Sequence, residues 1–122
     1  RPGCASGPYG APEIWTAPPG STQSPLPADI YAFGCLAFEA LTGQVLFEAP
    51  NETAQIAAHL GHDGFPPRLK DFSQKPGMTQ LAELLFWTLR RDPASRPNVE
   101  RVRDDFRKIA LTLLGKKWPL AT

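Results

Sequence analysis

The sequence has few of the residues that carry chemistry in small proteins. Its 122 residues include two cysteines, Cys4 and Cys35, and two histidines, His59 and His62. A secreted domain held by disulfides needs a denser set of cysteines, and a structural zinc site needs four closely spaced ligands. The sequence therefore predicts a reduced, cytoplasmic protein with no metal site. Both histidines are expected on the surface or in loops.

Long hydrophobic runs and an excess of one charge are also absent. The longest apolar stretch, residues 32–47, is interrupted by Glu39, Thr42, Gly43 and Gln44, whereas a membrane-spanning helix needs about 20 predominantly apolar residues. The 13 Lys and Arg residues nearly balance the 12 Asp and Glu residues. Nucleic-acid binding depends on a surplus of cations. We expect no membrane span and no nucleic-acid partner.

The sequence lacks the loops that hold nucleotide phosphates and activate nucleophiles. It contains no Gly-x-Gly-x-x-Gly segment, no Walker-type loop and no Gly-x-Ser-x-Gly elbow. We therefore expect no catalytic residue and no cofactor-binding residue in this chain. It begins with Arg1, and its only methionine is Met78, so we expect it to be a fragment of a longer protein.

The residues that are present predict a helical domain behind a proline-rich segment. Seven of the 14 prolines lie before residue 30, and residues 1–28 are predicted as loop and linker. Apolar residues then recur every three or four positions, which is typical of amphipathic helices. Helices are predicted over residues 29–43, 51–60, 79–91 and 98–113, with a loop over 64–76. The predicted fold class is all-α, with four to five helices and no strand.

The first predicted helix is apolar nearly all round. Besides the core-facing residues, Cys35, Leu36 and Ala40 are apolar too, and such a helix requires burial on several sides. Because we expect the chain to be a fragment, we expect it to lack the segment that would cover this helix. We therefore expect self-association through an exposed apolar helix surface.

Three separated motifs carry a resemblance to a known family. Residues 10–13 read Gly-Ala-Pro-Glu, residues 29–34 read Asp-Ile-Tyr-Ala-Phe-Gly, and residues 91–97 read Arg-Asp-Pro-Ala-Ser-Arg-Pro. Their order and spacing resemble the C-terminal part of a eukaryotic-type protein kinase domain, from Ser6 to about Leu113. The resemblance implies that residues 1–122 are one partial kinase C-lobe, with an N-terminal loop segment over 1–28 and a helical subdomain over 29–122.

The resemblance also implies roles for individual residues. Ser6, Gly7 and Tyr9 correspond to the loop that binds the substrate next to the phosphorylated residue. Glu13 and Arg96 correspond to a structural ion pair. A buried guanidinium and carboxylate suit that role because two parallel hydrogen bonds fix both distance and angle.

Asp29 corresponds to the family's anchor for the catalytic loop. The residues themselves also allow a simpler role, because a carboxylate at a helix start caps that helix in any protein. The sequence leaves these two roles open.

The function implied is that of the substrate-binding and structural part of a Ser/Thr protein kinase. ATP and Mg²⁺ are held by segments that precede this part of the domain. The implied partners are a protein substrate and the N-terminal part of the kinase domain. Two alternatives remain: a pseudokinase or scaffold that binds protein partners, and an unrelated helical interaction module. A contact between Glu13 and Arg96 would exclude the latter.

Overall fold

The structure is a computed structural model that describes residues 11–12, 25–113, 115–116 and 120. Within these residues the chain forms five α-helices and no β-strand, which confirms the predicted all-α class for this part of the chain. The helices are α1 (Pro25–Thr42), α2 (Glu52–Leu60), α3 (Pro67–Ser73), α4 (Thr79–Thr88) and α5 (Val99–Leu113), with a 3-10 turn, Pro93–Ser95, before α5.

Helix α1 begins at Pro25, earlier than the predicted start at Asp29. Prolines at positions 25 and 27 are compatible with this start because the first backbone N–H groups of a helix have no partner within it. Asp29 therefore lies inside α1 and does not cap it. The predicted C-terminal end is confirmed: Gly43 has a positive φ of 75°, and its N–H donates to the Glu39 carbonyl at 2.8 Å.

Helix α2 begins where the sequence predicts. The Asn51 side chain accepts a hydrogen bond from the Ala54 N–H at 2.9 Å and so caps the helix. The 3.6-residue spacing places Ile56, Ala57 and Leu60 on the inward face of this helix, and that prediction is wrong at Ala57, which is exposed. The buried residue of α2 is His59, so the expectation of a surface or loop position is wrong for this histidine.

Helix α3 lies in the segment predicted as a loop. Pro67 occupies the first turn of the helix, where its missing N–H costs nothing. Leu69 and Phe72 of this helix are buried in the core. The loop prediction is wrong over residues 67–73, because a proline that is expected to interrupt a helix can also occupy the first turn of one.

Helix α4 is shorter than its predicted span, whereas α5 agrees with its predicted span. Helix α4 ends at Thr88 rather than Arg91, and the Pro93–Ser95 turn follows, capped by the Asp92 carboxylate. The predicted cap of α5 is confirmed, because Asn98 accepts from the Arg101 N–H at 2.8 Å.

The core lies between α1, α3, α4 and one face of α5. Helix α1 packs directly on α4, and a side chain at Gly34 would overlap the Thr88 hydroxyl. Each fully buried large apolar side chain contributes about 1.5–3 kcal/mol to the stability of such a core. The largest members are Tyr31, Phe38, Leu69, Leu81, Leu85 and Leu89.

Helix α1 is not covered all round by the described residues. Leu26 is 70% exposed, Leu36 is 55% exposed and Phe33 is 40% exposed, and all three lie on one side of the helix. Within the described ranges, no helix combines the length and the apolar character that crossing a membrane requires.

Candidate functional site

The Arg96 guanidinium is the centre of a buried junction between the start of α1 and the turn before α5. Its Nε donates to the Arg90 carbonyl at 2.8 Å, its Nη1 to the Pro27 carbonyl at 2.9 Å and its Nη2 to the Arg91 carbonyl at 3.2 Å. The planar guanidinium suits this task because it directs several donors in fixed directions. Arg96 thereby bonds three carbonyls and ties the start of α1 to the segment after α4.

The same guanidinium lies over the ring of Tyr31, with 5.0 Å between Cζ and the ring centroid. Tyr31 is completely buried, and its hydroxyl is 2.6 Å from His59 Nδ1 and 3.0 Å from His62 Nε2. One tyrosine therefore links α1 to the end of α2 and to the loop that follows it.

The hydrogen bonds around Tyr31 run in one direction. The Gly64 N–H donates to His62 Nδ1 at 2.9 Å, so that nitrogen carries no proton. In neutral imidazole the proton is then on Nε2, which donates to the Tyr31 oxygen. The Tyr31 hydroxyl in turn donates to Nδ1 of His59. The bond from Gly64 requires the neutral form of His62, because a protonated Nδ1 could not accept it.

The surroundings of His62 favour that neutral form. Burial, followed by the nearby His59 and Arg91, lowers the pKa of His62 to about 4. The ring of Phe47 also packs against both imidazoles, with centroid distances of 4.8 Å to His59 and 5.3 Å to His62. His62 is therefore uncharged at neutral pH.

A second set of contacts holds the loop after α2. Asp63 accepts from the Arg90 side chain at 3.1 Å and 3.2 Å and from the Arg91 N–H at 2.9 Å. The Arg90 hydrogen bond, followed by the Arg91 N–H, lowers the pKa of Asp63 to about 2. The Arg91 guanidinium donates to the Leu60 and His62 carbonyls. These contacts position the loop.

A groove of about 920 Å³ opens beside this junction, between the first half of α1 and α5. Phe33 of α1 meets Phe106 of α5 edge to face, with 5.7 Å between ring centroids. Asp29 is exposed and lines the groove, and so does the buried Arg96. The groove walls are mainly apolar.

The Cys35 thiol is not activated as a nucleophile. Burial raises the pKa of the Cys35 thiol, and a protonated thiol is a poor nucleophile. Among the residues that the structure describes, no three His, Cys, Asp or Glu side chains converge as metal ligands. The groove and the rigid junction behind it are the parts of this region that can recognise another polypeptide.

The structure describes two of the six site residues named from the sequence. Asp29 and Arg96 both line the groove. Ser6, Gly7, Tyr9 and Glu13 lie outside the described residues. The substrate-loop, ion-pair and anchor roles all stay predictions.

The sequence reasoning missed the network of Tyr31, His59 and His62. The signal available was Tyr31 itself, a residue with a polar tip in an apolar helix. A buried hydroxyl of that kind usually finds a partner. Nothing local pointed to the histidines, which lie 28 and 31 positions further along the chain.

Comparison with known proteins shows a kinase-related segment. Over 59 residues, 48% of this chain, it is 44% identical to the dual specificity tyrosine-phosphorylation-regulated kinase 3 of Homo sapiens, covering 9% of that protein. The kinase of the same name from Macaca fascicularis is also 44% identical over 59 residues, and the one from Rattus norvegicus is 43% identical over 60 residues. The match spans about a tenth of the length of these relatives. No protein-family model matches the chain, and no solved structure is significantly similar to it.

Proposed function

We propose that this chain is the substrate-binding and structural part of the C-lobe of a Ser/Thr protein kinase, without catalytic activity of its own. The observation that carries the proposal is the segment 44% identical to a protein kinase. The three ordered motifs of the sequence support the same assignment. The intact parent would transfer the phosphoryl group of ATP to a protein hydroxyl, and its other segments would hold ATP and Mg²⁺.

The buried junction supports this proposal physically. Arg96 bonds three carbonyls from two segments of the chain, so it provides a rigid base next to the groove. Asp29 stands at the groove with an exposed carboxylate. A carboxylate there can accept hydrogen bonds from backbone N–H groups of an adjoining catalytic loop. The proposed partners are that N-terminal part of the domain and a protein substrate, in the cytoplasm.

A chimeric kinase tests the proposal. The corresponding segment of the human relative is replaced by residues 6–113 of this chain, and phosphorylation of a Ser/Thr peptide is measured with labelled ATP. We expect the chimera to be active. We expect Asp29→Ala to lower its kcat at least about tenfold, because the catalytic loop loses its anchor. Asp104→Ala, on the exposed surface of α5, is the matched control and should change little.

Three outcomes of these measurements would count against the proposal. The first is a chimera that melts like the parent kinase yet transfers no phosphate. The second is equal loss of activity in the Asp29 and Asp104 variants. The third is magnesium-dependent ATP binding by the 122-residue chain alone in calorimetry. The scaffold alternative is decided separately by the upstream coding sequence, where a Lys–Glu pair and a catalytic Asp favour the active kinase.

A further inference from the structure

The groove between α1 and α5 has a polarity along its length. Arg96, directly before α5, bonds the Pro27 carbonyl near the start of α1, and Phe33 meets Phe106 further along. The two helices therefore run in the same direction along the groove. Its first end carries the carboxylates of Asp29 and Glu100 together with the Arg96 guanidinium, which is engaged by backbone carbonyls. Arg103 lies midway along α5, and the second end carries the Arg107 guanidinium.

The groove floor between these ends is apolar and open. Val99 is 63% exposed and, like Leu26 and Phe33, lines the groove. Isolated apolar residues on a surface are ordinary, but a connected apolar strip bordered by charges is typical of a protein–protein contact. The occupant must be apolar at its centre, basic at one end and acidic at the other.

A second copy of this chain meets all three requirements. We propose that the groove is the contact surface of an antiparallel homodimer, in which the α5 helices of two copies pack against each other across a two-fold axis. In that arrangement the acidic end of each groove faces the basic end of its partner. This inference does not depend on the proposed function.

The spacing along α5 fits the antiparallel arrangement. The groove-lining positions Val99, Arg103, Phe106 and Ala110 are separated by four, three and four residues, which reads the same in both directions. An antiparallel partner therefore places Ala110 opposite Val99, where the small side chain permits close approach. It also places Arg103 opposite the ring of Phe106, a favourable cation–π pairing.

The charges at the rim fit the same register. In this pairing Glu100 and the partner's Arg107 are offset by two residues, about 3 Å along the helix axis, which an arginine side chain spans. Two-fold symmetry makes each such pair occur twice. Because only one helical face of each copy is buried, we expect a dissociation constant in the micromolar range.

Sedimentation equilibrium of the 122-residue chain tests the dimer. The wild type should approach twice the mass of one chain at high concentration and dissociate on dilution. Glu100→Arg and Arg107→Glu should each weaken association at least about tenfold, because like charges then meet twice per dimer. The double variant Glu100→Arg, Arg107→Glu should recover to within about threefold of the wild type, since the pair is restored with reversed sign.

Two further variants distinguish a contact in the groove from a nonspecific effect of changing the charge of α5. Val99→Glu introduces a charge on the apolar floor and should abolish association, while a carboxylate in the first turn of α5 is compatible with the helix. Lys108→Glu reverses a charge on the side of α5 away from the groove and should leave association unchanged. Circular dichroism should show the same helix content in all variants.

Several results would overturn the proposal. They are a wild type that stays monomeric up to about millimolar concentration, a double variant no better than its single variants, and a Lys108 variant as weak as the Glu100 variant. Slow labelling of an Ala110→Cys variant by a thiol reagent in a strictly monomeric sample would show that the chain's own residues cover the groove. That result would also refute the dimer.

Discussion

The two sides of helix α1 have similar apolar composition but very different surroundings. One side carries Tyr31, Cys35 and Phe38, which are buried to within 1% of their surface. The other carries Leu26, Phe33, Leu36 and Ala40, which are all exposed in the described structure. The apolar composition of one side of a helix therefore does not reveal whether the rest of the chain buries that side.

What distinguishes the buried side is its dependence on particular atoms. The Tyr31 hydroxyl needs His59 and His62 in defined orientations, and Gly34 leaves no room for a side chain beside Thr88. The exposed side of α1 depends only on its general shape and on the charges at its edge. Substitutions should therefore be far more costly on the buried side.

Substituting Gly34 should give the largest effect. The new Cβ of a Gly34→Val variant would overlap the Thr88 hydroxyl, which is held by a 2.7 Å hydrogen bond to the Leu85 carbonyl. Overpacking of this severity costs about 4 kcal/mol or more, which is a large part of the stability of a small domain. Urea unfolding followed by circular dichroism measures the loss.

Ala40→Val is the matched control for that variant, because Ala40 lies on the exposed side of the same helix. It should change the free energy of unfolding by no more than about 1 kcal/mol, because valine is a poorer helix former than alanine. If the two variants were equally stable, the close contact between α1 and α4 would be wrong.

Lowering the pH should give the second-largest effect, by destabilising the contacts on the buried side of α1. His62 has a pKa of about 4 in the folded chain and about 6.5 when unfolded, so between these pH values the unfolded chain binds the extra proton. Stability therefore rises with pH across this window and is lost as pH falls from about 6.5 toward 4. After allowance for the partial exposure of His62, the loss amounts to about 2 kcal/mol. Urea midpoints at several pH values measure it.

His62→Gln is the control for the acid effect. The amide does not titrate, so the slope of stability with pH between about 4 and 6.5 should become shallower. Asp63 does not interfere, because its carboxylate, with a pKa of about 2, loses its stabilising effect only below about 4. An unchanged slope in the glutamine variant would mean that His62 is not held neutral by the fold.

A polar substitution on the exposed side should have the smallest effect. Leu36→Gln should change the free energy of unfolding by less than about 0.5 kcal/mol, because Leu36 is largely in solvent and both residues are good helix formers. The same substitution at the fully buried Leu85 should cost about 4 kcal/mol. Thermal and urea unfolding of dilute samples compare the two. A cost above about 2 kcal/mol at Leu36 would show that other residues cover this side.

Local signals were sufficient to predict several helix ends. Asn51 and Asn98 cap α2 and α5 through their own side chains, and Gly43 ends α1 with a positive φ. Each of these features depends on residues within four positions in the sequence. That is why the chain sequence alone predicted them.

Features that depend on distant residues could not be predicted in this way. The burial of His59 follows from Tyr31, which is 28 positions away. Helix α3 was missed because Pro67 reads as a helix breaker unless it is recognised as a first-turn residue. Of the candidate site, Asp29 and Arg96 were named through the kinase resemblance and their roles stay predictions, whereas the network of Tyr31, His59 and His62 required the folded arrangement.

The bond between Arg96 and the Pro27 carbonyl spans 69 positions of the chain. During synthesis, the ribosome releases the beginning of α1 long before it adds this arginine. At about 5–20 residues per second, the delay is about 3–14 s. Throughout that interval the apolar helix α1 lacks its hydrogen bond from Arg96. The nascent chain therefore depends on chaperones or on rapid folding to avoid aggregation.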